Sequence, residues 1–110
     1  IAAREFDKTV EPLTQAAELG QDGDLFVRLA QVQIQREKWA AAALVLRRAI
    51  EIGNLTKPGD AKLLMGIAAY NSDRPKQART WFTRARAHKE TRSEADQWLS
   101  HIEREQQQSG

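Results

Sequence analysis

A chain of 110 residues with 41% apolar and 29% charged side chains is long enough for one domain with a modest core and too mixed to remain disordered. Its formal charge of +2, with basic and acidic residues interspersed, gives no support to nucleic-acid binding. The absence of Cys excludes disulfides and thiolate chemistry, and no apolar run reaches the roughly 18 residues that a membrane helix requires.

Ala and Leu outweigh Val, Ile and aromatics, and good helix formers fill long stretches without Pro or Gly, so the fold class is all-α. The first helix is expected over residues 3–19. Pro12 lies inside it and removes a backbone donor, which implies a kink or an effective start near Glu11. Asp22 or Asp24 caps the next helix, which runs to about Arg36 with Phe26, Leu29, Ala30 and Ile34 on its apolar side. A partner helix follows from about Lys38 to Ile52, with Leu44, Leu46, Ala49 and Ile50 inward and Gly53-Asn54 as its stop. Pro58 opens a helix to about Tyr70. Asp73 is then expected to cap a helix with Pro75 in its first turn, ending near His88. The last helix, residues 91–105, carries Ala95, Trp98, Leu99 and Ile102 at helical spacing against a polar face. Residues 107–110 are expected as a frayed tail.

The middle of the chain repeats itself. Ala30, Ala42, Leu46 and Ala49 correspond to Gly66, Ala78, Phe82 and Ala85, each pair at the same offset, since 66 minus 30 is 36. The Ala and Gly members of these pairs stand where two helices of a hairpin cross closely. The pattern, with Phe26, Leu29 and Trp39 in the first copy and Met65 in the second, resembles the tetratricopeptide-repeat (TPR) family. The resemblance covers residues 23–87. Gln33 and Ala69 stand where that family has Tyr, Lys62 where it has Trp, and Pro75 where it has the turn aromatic.

The resemblance implies an α-solenoid of antiparallel helix pairs over residues 1–106: a half-repeat (3–19, with Thr9, Leu13 and Ala16 as packing positions), repeats at 23–52 and 58–88, and a capping helix at 91–105. A narrower likeness, in Gly53, Leu55, Pro58, Gly59, Leu63, Leu64, Gly66, Ile67, Ala68, Tyr70, Asn71, Thr91, Arg92, Gln97, Trp98 and Leu99, is to the C-terminal end of bacterial TPR proteins that accompany TonB systems. It implies a bacterial envelope, periplasmic setting; the cytoplasm is the alternative. The chain begins at Ile1 and not Met, so a piece of a longer protein is expected.

Chemistry has little to stand on. His88 and His101 have no Cys and no HExxH spacing to join them into a metal site, and no nucleophile elbow, P-loop or dinucleotide fingerprint occurs. Neither catalysis nor a cofactor nor a metal is expected. Pairs such as Glu90 with Glu94, or Asp22 with Asp24, read as solvated faces and caps, and Trp39 and Trp98 as packing residues. The basic stretch from Arg74 to Arg92, with Lys76, Arg79, Arg84, Arg86 and Lys89, reads as a solvated outer face.

What remains is binding. The family's concave wall, carried over, consists of Arg28, Gln31, Ile34 and Gln35 in the first repeat and Leu64, Ile67, Tyr70 and Asn71 in the second, extended by Gln97 and His101. Amides, one Arg and one Tyr on an apolar base suit a peptide or helix of another protein. Val27 and Gln31 replace the first Lys and Asn of the clamp by which some TPR domains hold a terminal carboxylate, so chaperone tails are disfavoured. The alternative is a spacer or end-cap of a longer solenoid that self-associates through its truncated N-terminal helix.

Overall fold

The computed structural model describes the backbone of residues 2–109 and the side chains of residues 10–108, and it contains no strand over that span. Six α-helices follow in order: α1 (Ala2–Gly20), α2 (Gly23–Gln35), α3 (Trp39–Ile52), α4 (Pro58–Asn71), α5 (Pro75–Ala85) and α6 (Arg92–Ser109), the last preceded by a 3₁₀ turn at Lys89–Thr91. They form two compact units, Ile1–Thr56 and Lys57–Gly110, each with three α-helices.

In the first unit, Asp22 caps α2 by accepting hydrogen bonds at Oδ1 from the N–H groups of Asp24 (3.0 Å) and Leu25 (3.4 Å). Asp24 does different work. Its carboxylate accepts from the Thr56 hydroxyl (2.6 Å) and the Thr56 N–H (3.0 Å), tying the segment after α3 to the first turn of α2. Those two bonds, the hydroxyl's first, hold the Asp24 carboxyl below its ordinary value. A depressed carboxyl stabilises the fold above its unfolded pKa, and that contribution is lost as pH falls through the folded value.

Gly23 shows how α2 and α3 run: a Cβ there would lie 2.8 Å from the Gly53 carbonyl oxygen and 3.2 Å from that of Ala49. The start of α2 therefore meets the end of α3, and the hairpin is antiparallel. Phe26, Leu29 and Ala49 form its core with Ala17 of α1, flanked by Val10, Leu13, Leu25, Val45 and Leu55. Several expectations change here. The α1 helix runs unbroken through Pro12 and does not start near Glu11, so one missing N–H is tolerated within it. Thr9 lies outside the residues whose side chains are described. Leu13 packs on the core, but Ala16 is exposed and Ala17, four residues beyond Leu13, takes the buried place. Leu44 is not inward; it is 68% exposed, because Ala42, Leu46 and Ala49 define the buried side of α3.

The second unit is built in the same way around Leu63, Ala69, Ala78, Phe82, Ala85, Ala95 and Ile102. Gly59 begins α4 beside Thr91 and His88, which follow α5, so this hairpin too is antiparallel. Thr91 is buried, and its hydroxyl donates to the carbonyl of Ala85 (2.8 Å), satisfying one of the groups left open where α5 ends. Helix α5 consequently stops at Ala85, short of His88. His88 Nε2 instead meets Lys62 Nζ at 2.8 Å. The α6 helix continues past Glu105 to Ser109, since its run of Glu, Arg and Gln contains no breaker; the expected tail is helical to that point, and Gly110 lies outside the described residues.

The repeat extends to individual backbone bonds. Lys38 N–H donates to Gln33 (2.8 Å) and Glu37 N–H to Ile34 (2.9 Å); 36 residues on, Arg74 donates to Ala69 (2.9 Å) and Asp73 to Tyr70 (3.2 Å). Each pair is a Schellman closure with a left-handed residue, Glu37 at φ 60° and Asp73 at φ 62°. Asp73 is thus not the cap of α5. It turns the chain, at a conformational cost on the order of 1 kcal/mol, and Arg74 precedes α5 without a side-chain capping bond.

Within the second hairpin, Gly66 faces the ring of Phe82 so closely that a Cβ would stand 2.5 Å from Cε1 and 2.6 Å from Cδ1. Phe82 is fully buried, and Trp98 of α6 stacks on it with centroids 5.2 Å apart and planes 6° from parallel. At the equivalent places of the first hairpin stand Ala30 and Leu46, both fully buried: a slimmer partner accompanies the added methyl. Gly66→Ala is therefore expected to destabilise the protein by about 1–3 kcal/mol through overpacking. Phe82→Leu should partly relieve that penalty, so the double variant will be more stable in urea denaturation than the sum of the singles predicts, by about 1 kcal/mol. Strict additivity would contradict the close contact.

Candidate partner-binding surface

The residues expected to line a binding wall divide between the two units. On α2, Arg28, Gln31 and Gln35 are exposed and Ile34 is half-buried. On α4, Leu64, Ile67 and Tyr70 are half-buried and Asn71 is exposed; on α6, Gln97 and His101 are exposed. Ile67 and Tyr70 lean on the core of their unit, whereas Ile34 and Leu64 belong to neither core cluster. Each of those two aliphatic side chains is nonetheless partly covered, so only part of it is left as apolar surface. Asn71 bonds back to the carbonyl of Ile67 (2.9 Å), one turn earlier on the same helix.

Tyr70 and His101 are brought together, and sequence reasoning missed the third member of their group. The Tyr70 hydroxyl donates to Glu105 Oε1 (2.6 Å) and lies 2.9 Å from His101 Nε2, while His101 Nε2 and Glu105 Oε1 are 3.3 Å apart. Trp98 lies beside them: its ring meets Tyr70 edge-on at 5.2 Å and His101 at 6.1 Å. The spacing of His101 and Glu105, one helical turn apart, was readable in the sequence. Nothing in it placed the Tyr70 hydroxyl between them.

Gln97 is not part of this group. It lines an open depression of about 650 Å³ on α6 together with Lys89, Arg92, Ser93, Ser100 and Arg104. The basic stretch before it is largely engaged. Arg79 bonds to Gln106, Arg86 pairs with Asp96, the Arg92 guanidinium donates to the carbonyl of Arg86 (3.0 Å), and the Arg84 guanidinium lies 4.8 Å over the ring of Trp81. Among the described residues no three His, Asp or Glu side chains converge on one point, and no helix is long and apolar enough to cross a membrane.

The chain matches no protein-family model and no curated protein sequence.

The hydrogen bond to Glu105, then burial, then the Glu105 charge raise the Tyr70 hydroxyl above the ordinary tyrosine value. A raised phenol stabilises the fold below its unfolded pKa, and that contribution disappears as pH rises through the folded value. Tyr70 is the chain's one tyrosine, so tyrosinate absorbance reports it alone. Alkaline titration should show a midpoint above that of a free tyrosine, and Glu105→Gln should bring it back down; an unchanged midpoint in that variant would show that Glu105 does not hold the hydroxyl in solution.

Proposed function

We propose that this chain is a TPR-type protein-interaction scaffold, an α-solenoid segment that binds a peptide or helix of another protein, with α2 in the first unit and α4 in the second each offering a contact surface. It acts by binding and performs no chemistry of its own. The observation that carries this reading is made in each unit by itself: α2 carries the half-buried Ile34 with the exposed Arg28, Gln31 and Gln35, and α4 carries the half-buried Leu64 with the exposed Asn71. Partly exposed apolar side chains beside hydrogen-bonding groups suit a segment whose backbone amides need partners. The 36-residue recurrence of the two helix-closing turns supports the TPR reading. The setting proposed is a TonB-related complex of a bacterial envelope, and it rests on the likeness in residues 53–99.

A second reading has its own observation. Pro12, Ala16 and Leu19 follow one another at helical spacing on α1 and are all exposed, Leu19 by 88%. That stripe favours a spacer or end-cap that meets a second copy of the chain or a neighbouring repeat.

Truncating Tyr70 would remove a ring packed against Trp98, so it is a poor test of the wall. Leu64→Ser with Asn71→Ala alters one half-buried and one exposed side chain and leaves the fully buried residues in place. Immobilised wild type is expected to retain a specific protein from a bacterial envelope extract, and the double variant, folded by circular dichroism, to retain it at least ten-fold less. Equal retention by both would remove α4 from the site. Retention of the chain's own second copy, unaffected by the double variant, would favour the end-cap reading.

A further inference from the structure

We propose that Tyr70, His101 and Glu105 form a binding site for one first-row divalent cation such as zinc. The proposal stands apart from the partner-binding reading and rests on donor geometry. His101 and Glu105, four residues apart on α6, project from one face of that helix, and Tyr70 reaches them from α4. The three donor atoms form a triangle with sides of 2.6, 2.9 and 3.3 Å. Nitrogen and oxygen ligands stand about 2.1 Å from zinc, and the circumradius of this triangle is ~1.7 Å, so a point roughly 1.2 Å off its plane is at bonding distance from all three atoms.

Three further features favour a cation over a hydrogen-bonded cluster alone. The rings that carry two of the donors are held in place, because those of Tyr70 and His101 each pack against Trp98 and against one another (5.6 Å between centroids); the Tyr70 and Glu105 oxygens need part by only ~0.8 Å to reach the spacing of tetrahedral zinc ligands. One nitrogen and two oxygens form a mixed set that suits zinc or copper better than magnesium or calcium, which prefer oxygen throughout. The His101 and Glu105 side chains are 46% and 50% exposed, which gives a hydrated ion access and leaves coordination positions for water. Because the third ligand is Tyr70, the spacing of histidines and acids in the sequence did not announce the site. On binding, the cation replaces the hydroxyl hydrogen bond to Glu105, and the Tyr70 proton is released to solvent.

The test is titration of the intact chain with zinc alone, followed by calorimetry and by tyrosine difference absorbance, in wild type and in His101→Gln, Glu105→Gln, Tyr70→Phe and His88→Gln. The expected result is one site of micromolar affinity, with a tyrosine spectral change on binding. His101→Gln and Glu105→Gln should each weaken it at least ten-fold, Tyr70→Phe should weaken it and abolish the spectral change, and His88→Gln should leave it intact. Both Gln replacements keep side-chain size at half-exposed positions, so the fold survives them. Absence of binding by wild type, retention of full affinity in His101→Gln, or loss of binding in His88→Gln alone would each overturn the proposal.

Discussion

The approach of Gly66 to the ring of Phe82 sets the spacing of the second hairpin, and much else in that unit follows from it. With no side chain on α4 at that point, the ring fills the space between the two helices and remains fully buried. Trp98 can then lie flat on Phe82 and bring α6 onto the same core. Burial of a phenyl ring of this kind contributes about 1.5–3 kcal/mol. The same ring of Trp98, on its way past Phe82, meets Tyr70 and His101 edge-on, so the packing that closes the unit also fixes the polar group at its surface.

The first hairpin shows the same constraint solved with different side chains. Ala30 and Leu46 occupy the positions of Gly66 and Phe82, and the turns that close α2 and α4 agree hydrogen bond by hydrogen bond at an offset of 36 residues. This recurrence was legible in the sequence because it depends on small residues whose positions admit little else. The helix count and the order of the elements were legible for a related reason: Gly, Pro and Asp residues punctuate the chain where backbone geometry demands them.

What the sequence did not disclose depends on tertiary contacts. Asp22, Asp24 and Asp73 look alike as helix caps, yet only Asp22 caps; Asp24 holds Thr56 and Asp73 adopts a left-handed turn. Leu44 fits an apolar stripe when α3 is read alone, but the side of α3 that packs is the one carrying Ala42, Leu46 and Ala49, which leaves Leu44 in water. Pro12 looks like a helix start, and the helix tolerates it. At the surface, Tyr70 and His101 were both named as wall residues, but Glu105, which accepts the Tyr70 hydroxyl from a position 35 residues along the chain, was not. A side chain reaching across two helices leaves no periodic mark.

The proposed function requires the face of α4 that carries Leu64 to meet another protein while the face of α5 that carries Thr80 meets water. Site-specific photo-cross-linking addresses it directly: a photoreactive residue placed at Leu64, or at the exposed Thr80 of α5, in the protein expressed in its native cells. A discrete adduct with a second protein is expected from position 64 and none from position 80. A discrete adduct from position 80 with none from position 64 would contradict it.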